Sequence, residues 1–159
     1  VPATAPAPRP FDVDGLRRAD LPLGAPFPKA GAAGQVRRLV GAKANGCMRV
    51  TLGSCSGCMK FDFGAWSRLA RDRGLTLVGV TNAPPDRLAE VSRTMPDNLA
   101  LVSDVGSGLT SGLHAVFTGR VFVFDRRWRL VWRSQIDGDT SLASGELAAF
   151  GRFEMERQP

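Results

Sequence analysis

The chain has 159 residues, 43% of them hydrophobic and 23% charged, with a formal charge of +6 at neutral pH. That length accommodates one domain with a real core, and the balance of residues excludes a globally disordered chain. No apolar run approaches the roughly 18 to 20 residues of a membrane-spanning helix, and three cysteines are too few for the disulfide framework of a small secreted scaffold.

Val1 to Pro10 reads VPATAPAPRP, and a Pro-, Ala- and Gly-rich composition continues to residue 34, so residues 1–34 are expected as a tether and lead-in. Leu21-Pro22-Leu23-Gly24-Ala25-Pro26-Phe27 is their only apolar island and predicts a lead-in strand or loop. A domain is expected over residues 35–159. No charged, apolar and cleavable signal region opens the sequence. The spacer-like opening suits an exported, periplasmic or extracytoplasmic, membrane-anchored chain, and equally a plain loop-like start.

From Cys47 to Gly53 the run CMRVTLG alternates Met48, Val50 and Leu52 against Cys47, Arg49 and Thr51, which predicts a strand stopped by glycine. After it, Phe63, Trp66 and Ala70 recur at helical spacing behind Met59, predicting a helix that starts near Cys55 and stops at Gly74. Leu75 to Val80 predicts a second strand, and Pro84-Pro85-Asp86 opens a helix carrying Leu88, Val91 and Met95. Leu99 to Val102 predicts a third strand, and the glycine-bearing stretch from Asp104 to Gly119 a long loop or weak helix. Arg120–Phe124 and Trp128–Trp132 predict a hairpin turning through Asp125-Arg126-Arg127, and Ser141–Phe153 a closing helix. Parallel βαβ units followed by an antiparallel hairpin make an α/β fold, a mixed central β-sheet flanked by helices.

Arg126, Arg127, Arg129 and Arg133 alternate with Trp128, Leu130 and Trp132, predicting a half-buried strand with a basic outer face. The plain reading is a solvated face. The sharper one is contact of Arg127, Arg129 and Arg133 with an acidic protein or an anionic membrane surface, and no motif supports nucleic acid.

The chemistry concentrates in Cys55-Ser56-Gly57-Cys58. A thiol attacks as thiolate, and a helix N-terminus lowers its pKa through unpaired N–H groups and the positive end of the dipole. A first helical turn brings residues three apart together, so this pair can close and open a disulfide with little backbone motion. Cys55 is then the attacking thiol and Cys58 the resolving one. Lys60 could lower a thiolate pKa or simply face solvent. Cys47, at the far end of its strand, is expected as a small buried hydrophobe. With no second CxxC and His114 as the only histidine, a four-ligand zinc site would need carboxylates.

GCMRVTLGSCSGCMKF, LTLVGVTN, LALVSD and GRVFVFD resemble, in order and spacing, the exported thioredoxin-like proteins of the TlpA/ResA type. They also resemble the broader alkyl-hydroperoxide-reductase and thiol-specific-antioxidant superfamily. The resemblance spans roughly residues 35 to 135. It implies a thioredoxin-like fold, thiol-disulfide oxidoreductase activity on protein thiols or disulfides, catalytic Cys55 and Cys58, and no cofactor. The family's cis-proline ahead of the strand at Arg120 is replaced by Phe117-Thr118-Gly119, and its tryptophan before the first cysteine by Gly53-Ser54. Neither cysteine has the threonine three residues earlier that a peroxiredoxin carries.

Two further readings stay open. Sco-type copper chaperones share the fold, and Cys55, Cys58 and His114 would supply two soft thiolates and an imidazole for copper, although their cysteine spacing is CxxxC. Alternatively the chain is a non-catalytic thioredoxin-like subunit of a larger, membrane-bound complex, with a permanent Cys55–Cys58 disulfide. Trp66, Trp128 and Trp132 are expected as core or interface aromatics, and Asp104 and Asp125 as turn-capping carboxylates.

Overall fold

Short runs rich in valine, leucine and phenylalanine form one sheet: β1 (Gly46–Leu52), β2 (Leu75–Thr81), β3 (Ala100–Ser103), β4 (Val121–Asp125) and β5 (Leu130–Arg133). The structure, a computed structural model, describes residues 13–41, 46–52, 63–93, 95, 99–114 and 120–134. The strand order is β3-β2-β1-β4-β5, with β1, β2 and β3 parallel and β4 antiparallel to both its neighbours, β1 and β5. The helices are α1 (Val13–Arg18), α2 (Ala33–Val40), α3 (Phe63–Asp72), α4 (Leu88–Ser92) and α5 (Gly108–Gly112), with a 3-10 turn at Pro85–Arg87 leading into α4. The predicted mixed sheet and its strands are present. The helix onset near Cys55 and the helix over Ser141–Phe153 fall outside the described residues.

Alternation along the strands divides the apolar side chains between two cores. Val78, Val80, Val102, Phe122, Phe124 and Leu130 point to one face, covered by Phe27, by Ala33 and Val36 of α2, and by Leu109 and Leu113. Leu77, Val121 and Val123 point to the other, covered by Trp66 and Ala70 of α3. Because β2 and β4 are covered on both sides, their sequences are near-continuous apolar runs. Trp66 and Ala70, four residues apart, lie on one helical stripe, and both are fully buried.

Two elements were not expected: α1 and α2 lie in sequence read as tether, lead-in and domain start. The apolar island, expected as a lead-in strand or loop, forms one isolated antiparallel bridge, Pro26 with Arg129, and no named strand. Gly24 and Phe27 donate backbone hydrogen bonds to Leu130 and Trp128, and Leu130 donates to Ala25. These bonds cover the outer edge of β5, which would otherwise expose unpaired backbone groups. The ring of Phe27 meets Phe124 edge-on at 4.9 Å.

The hairpin departs from the predicted alternation. Phe124 pairs with Leu130 and Val123 with Trp132, so a bulge inserts one extra residue into β5. Leu130 therefore joins the first core and Trp132 packs against the second. Trp128 precedes the strand, in the turn. The predicted single basic face is thereby split: Arg127 and Arg129 stay exposed, whereas Arg133 turns to an ion pair with Asp20.

Trp66→Ala is expected to destabilise the protein by about 3–5 kcal/mol in urea denaturation, the range for emptying a buried aromatic site. Leu23→Ala, at a side chain 60% exposed, should change stability by no more than about 0.5 kcal/mol.

Candidate functional site

In open sheets that contain parallel strands, ligands and reactive groups gather beyond the carboxyl ends of those strands. Here that end is formed by Leu52, Thr81 and Ser103, with β4 starting beside it: Leu52 pairs with Thr81, and Val50 with both Gly79 and Val121. In the sequence Cys55 and Cys58 follow Leu52 by three and six residues, before α3. Both cysteines lie outside the described residues, as do Lys60 and Phe117-Thr118-Gly119. Cys47 stands near the opposite end of β1, paired with Thr76 and Phe124.

The turns at this end are held by buried polar groups. The hydroxyl of Thr81 accepts a hydrogen bond from the Ala83 N–H at 3.1 Å, and the Ser103 hydroxyl donates to the Ala83 carbonyl at 2.6 Å. Asp104 is buried and accepts four hydrogen bonds, from the N–H groups of Ala32, Leu109 and Thr110 and from the Thr110 hydroxyl. It thereby joins the end of β3 to the starts of α2 and α5. Gly31 completes the junction: at φ +60°, a Cβ there would lie 2.5 Å from the Asp104 carboxylate. Burial alone would raise the Asp104 pKa, but hydrogen bonds from Thr110, Leu109 and Ala32 outweigh it and hold the carboxyl below its ordinary 3.8. Asp125 caps its own turn, its Oδ1 accepting from the Arg127 and Arg129 N–H groups at 2.9 and 3.1 Å. Both aspartates thus take the turn-capping role expected of them.

The strongest charge arrangement at this end was not anticipated. Arg120, immediately before β4, is 1% exposed and donates through Nη1 and Nη2 to the two carboxylate oxygens of Asp20 at 3.3 and 2.9 Å. Its Nε donates to the Ser134 hydroxyl and its Nη2 also to the Ser134 carbonyl, while the guanidinium lies 4.9 Å from the Phe122 ring centroid. Arg133 Nε donates to the same Asp20 carboxylate at 2.8 Å. One carboxylate thus serves two guanidiniums, and this cluster of three ions carries a net positive charge. The geometry offsets a desolvation cost that neither arginine could meet alone. A cation placed directly ahead of the apolar run VFVFD was the available signal, because a charge there must be paired.

His114 is exposed, has φ 55°, and donates from Nδ1 to the Ala19 carbonyl, next to Asp20. Among the described residues no group of three or more His, Cys, Asp and Glu side chains is arranged to hold a metal. Cys55 and Cys58, the other two members of the copper set, lie outside those residues.

Asp20→Asn should strand Arg120 as a buried, under-compensated charge and cost about 3–5 kcal/mol in urea denaturation. Arg133→Gln should cost less, since the Arg133 side chain is 24% exposed. Asp104→Asn should cost about 1–3 kcal/mol at neutral pH by leaving donors unpaired. Because the folded-state pKa is depressed, that stabilisation is present above the unfolded value and is lost as pH falls through the folded one. The gap between wild type and Asp104→Asn should therefore narrow as pH falls below the ordinary 3.8 and through the depressed folded-state value, and a gap that widens on acidification would contradict this account.

The chain matches no protein-family model, and no curated protein sequence matches it. Solved structures do. A reduced peroxiredoxin from Vibrio vulnificus in complex with hydrogen peroxide is 10% identical, with TM-score 0.63 over 87% of this chain and 99% of its own. A structure from Chlorobium tepidum assigned as the thiol:disulfide interchange protein DsbE is 11% identical, with TM-score 0.60 over 86% and 98%. A thiol peroxidase from Chromobacterium violaceum is 14% identical, with TM-score 0.59 over 86% and 87%. Together with the strand order and the helices on both faces, these likenesses show that the chain has a thioredoxin-like fold.

Proposed function

We propose that the chain is a thiol-disulfide oxidoreductase acting through Cys55 and Cys58 on protein thiols or disulfides, without an organic cofactor. The observation that carries this reading is sequence position within the fold. The CxxC falls between the carboxyl end of the central strand β1 and α3, the crevice end of a thioredoxin-like sheet. Fully buried Trp66 fixes α3 against the sheet, so the chain leading from the pair enters a rigid element.

In the reaction, the Cys55 thiolate attacks one sulfur of a partner disulfide, forming a mixed disulfide and releasing the partner's other sulfur as thiolate. The Cys58 thiolate then attacks Cys55 Sγ, closing the Cys55–Cys58 disulfide and expelling the second partner thiolate. Two electrons pass to the partner, and the reverse sequence oxidises it. As part of the same reading we place the chain outside the cytoplasm, where disulfides persist.

Peroxide reduction is the neighbouring chemistry. Two of the structural neighbours are named for peroxides or peroxidase activity, but this chain has Leu52 and Cys55, not threonine, three residues ahead of its cysteines. Exchange is therefore favoured over peroxide turnover.

A redox titration in glutathione and dithiothreitol buffers, with alkylated thiols counted by mass, should show one reversible two-electron transition at Cys55 and Cys58. Cys55→Ser should abolish exchange, and Cys58→Ser should trap a mixed disulfide with substrate. Peroxide consumption should not exceed that of free cysteine. A disulfide resistant to dithiothreitol would overturn the proposal in favour of a structural bond.

A further inference from the structure

β1 begins at Gly46, the sheet end away from Leu52. There the hairpin turn after β4 meets the last turn of α2 around a pocket of about 400 Å³, whose lining includes Arg37, Gly41, Gly46, Asp125, Arg126 and Trp128. Trp128 is its unusual member. It sits at φ 60°, a left-handed conformation that glycine adopts freely and a bulky side chain only under strain. Asp125 and Trp128 close the turn by a backbone hydrogen bond, so glycine would serve the turn as well. What the strain maintains is an aromatic wall. The Trp128 ring lies 4.8 Å from Phe27 and carries the Arg37 guanidinium 4.8 Å from its centroid.

Among the described residues the charge around this wall is predominantly positive. Arg37 and Arg126 are exposed in the lining, and Arg127 and Arg129 are exposed on the same turn. The lining carboxylate, Asp125, is engaged through Oδ1 with the Arg127 and Arg129 N–H groups. Guanidiniums stacked on an aromatic face keep their in-plane N–H donors available for forked pairing with a carboxylate.

We propose that this end of the sheet docks an acidic segment of a partner protein. One carboxylate side chain pairs with the stacked Arg37 against Trp128, and flanking carboxylates meet the exposed arginines of the turn. The shape favours a peptide over a lipid surface. A headgroup plane would reach the outer arginines but not the recess. The large exposed hydrophobic residues, Leu23, Leu39 and Val105 among the described residues, do not line it. A small free anion would fill the recess and leave Arg127 and Arg129 without a role.

The test is fluorescence anisotropy of the full chain with a labelled oligoglutamate peptide, with oligoglutamine, phosphatidylserine vesicles and inorganic phosphate as comparisons. Oligoglutamate should bind, oligoglutamine should not, and raising salt through the physiological range should weaken binding. Arg37→Ala with Arg126→Ala should reduce affinity at least about tenfold. Arg126→Gln with Arg127→Gln, which leaves the stacked Arg37 in place, should reduce it in the same direction, with an unchanged thermal midpoint. Binding indifferent to both variants, or binding to vesicles or phosphate but not to the peptide, would overturn the proposal. So would no binding at all.

Discussion

One carboxylate shared by two arginines fixes the frame on which the candidate site rests. Asp20 lies at the end of the lead-in, Arg120 at the start of β4 and Arg133 at the end of β5. None of the three tolerates its buried or half-buried position alone. Their mutual satisfaction commits the N-terminal segment to one place on the sheet. The same contact sets the first residue of β4, the strand antiparallel to β1, and so anchors one side of the crevice end. Asp104 does the corresponding task on the other side, tying β3 to α2 and α5. Both ties are electrostatic and directional, and the apolar cores between them hold the strand register through the faces they bury.

The two ends of the sheet are thus chemically distinct. At the carboxyl end of the parallel strands, charge is drawn inward, with two arginines sharing the Asp20 carboxylate, and short polar turns close the edge. At the opposite end, arginines remain outside and Trp128 occupies the turn at a positive φ. The exchange and the docking proposed above fall at opposite ends of the sheet, so neither would obstruct the other.

Much of this was legible in the sequence. β1, β2, β4 and the hairpin could be placed because alternation and apolar runs report burial on one face or two, and the turn aspartates because their side chains act locally. What escaped the sequence was non-local. Arg120 and Asp20 are a hundred positions apart, and only the closed topology brings them together. The β5 bulge was invisible because Trp128, Leu130 and Trp132 satisfy simple alternation, and the inserted residue shows only through pairing with β4. α2 was hidden by its short length and small residues, its burial arising from Ala33 and Val36 against the sheet. For the cysteines, sequence supplied the pair and its place in chain order between β1 and α3, and both lie outside the described residues.

The backbone bonds from Gly24, Ala25 and Phe27 to the region of Trp128 and Leu130 have a kinetic meaning. The segment from Gly24 to Phe27 can dock only once β5, the last described strand in chain order, exists. Until then its apolar island stays uncovered and the outer edge of the forming sheet stays open. Such closure of distant ends is slow, because loop entropy is spent before any contact rewards it. The segment therefore stays unengaged through much of folding, and cover for the β5 edge arrives late.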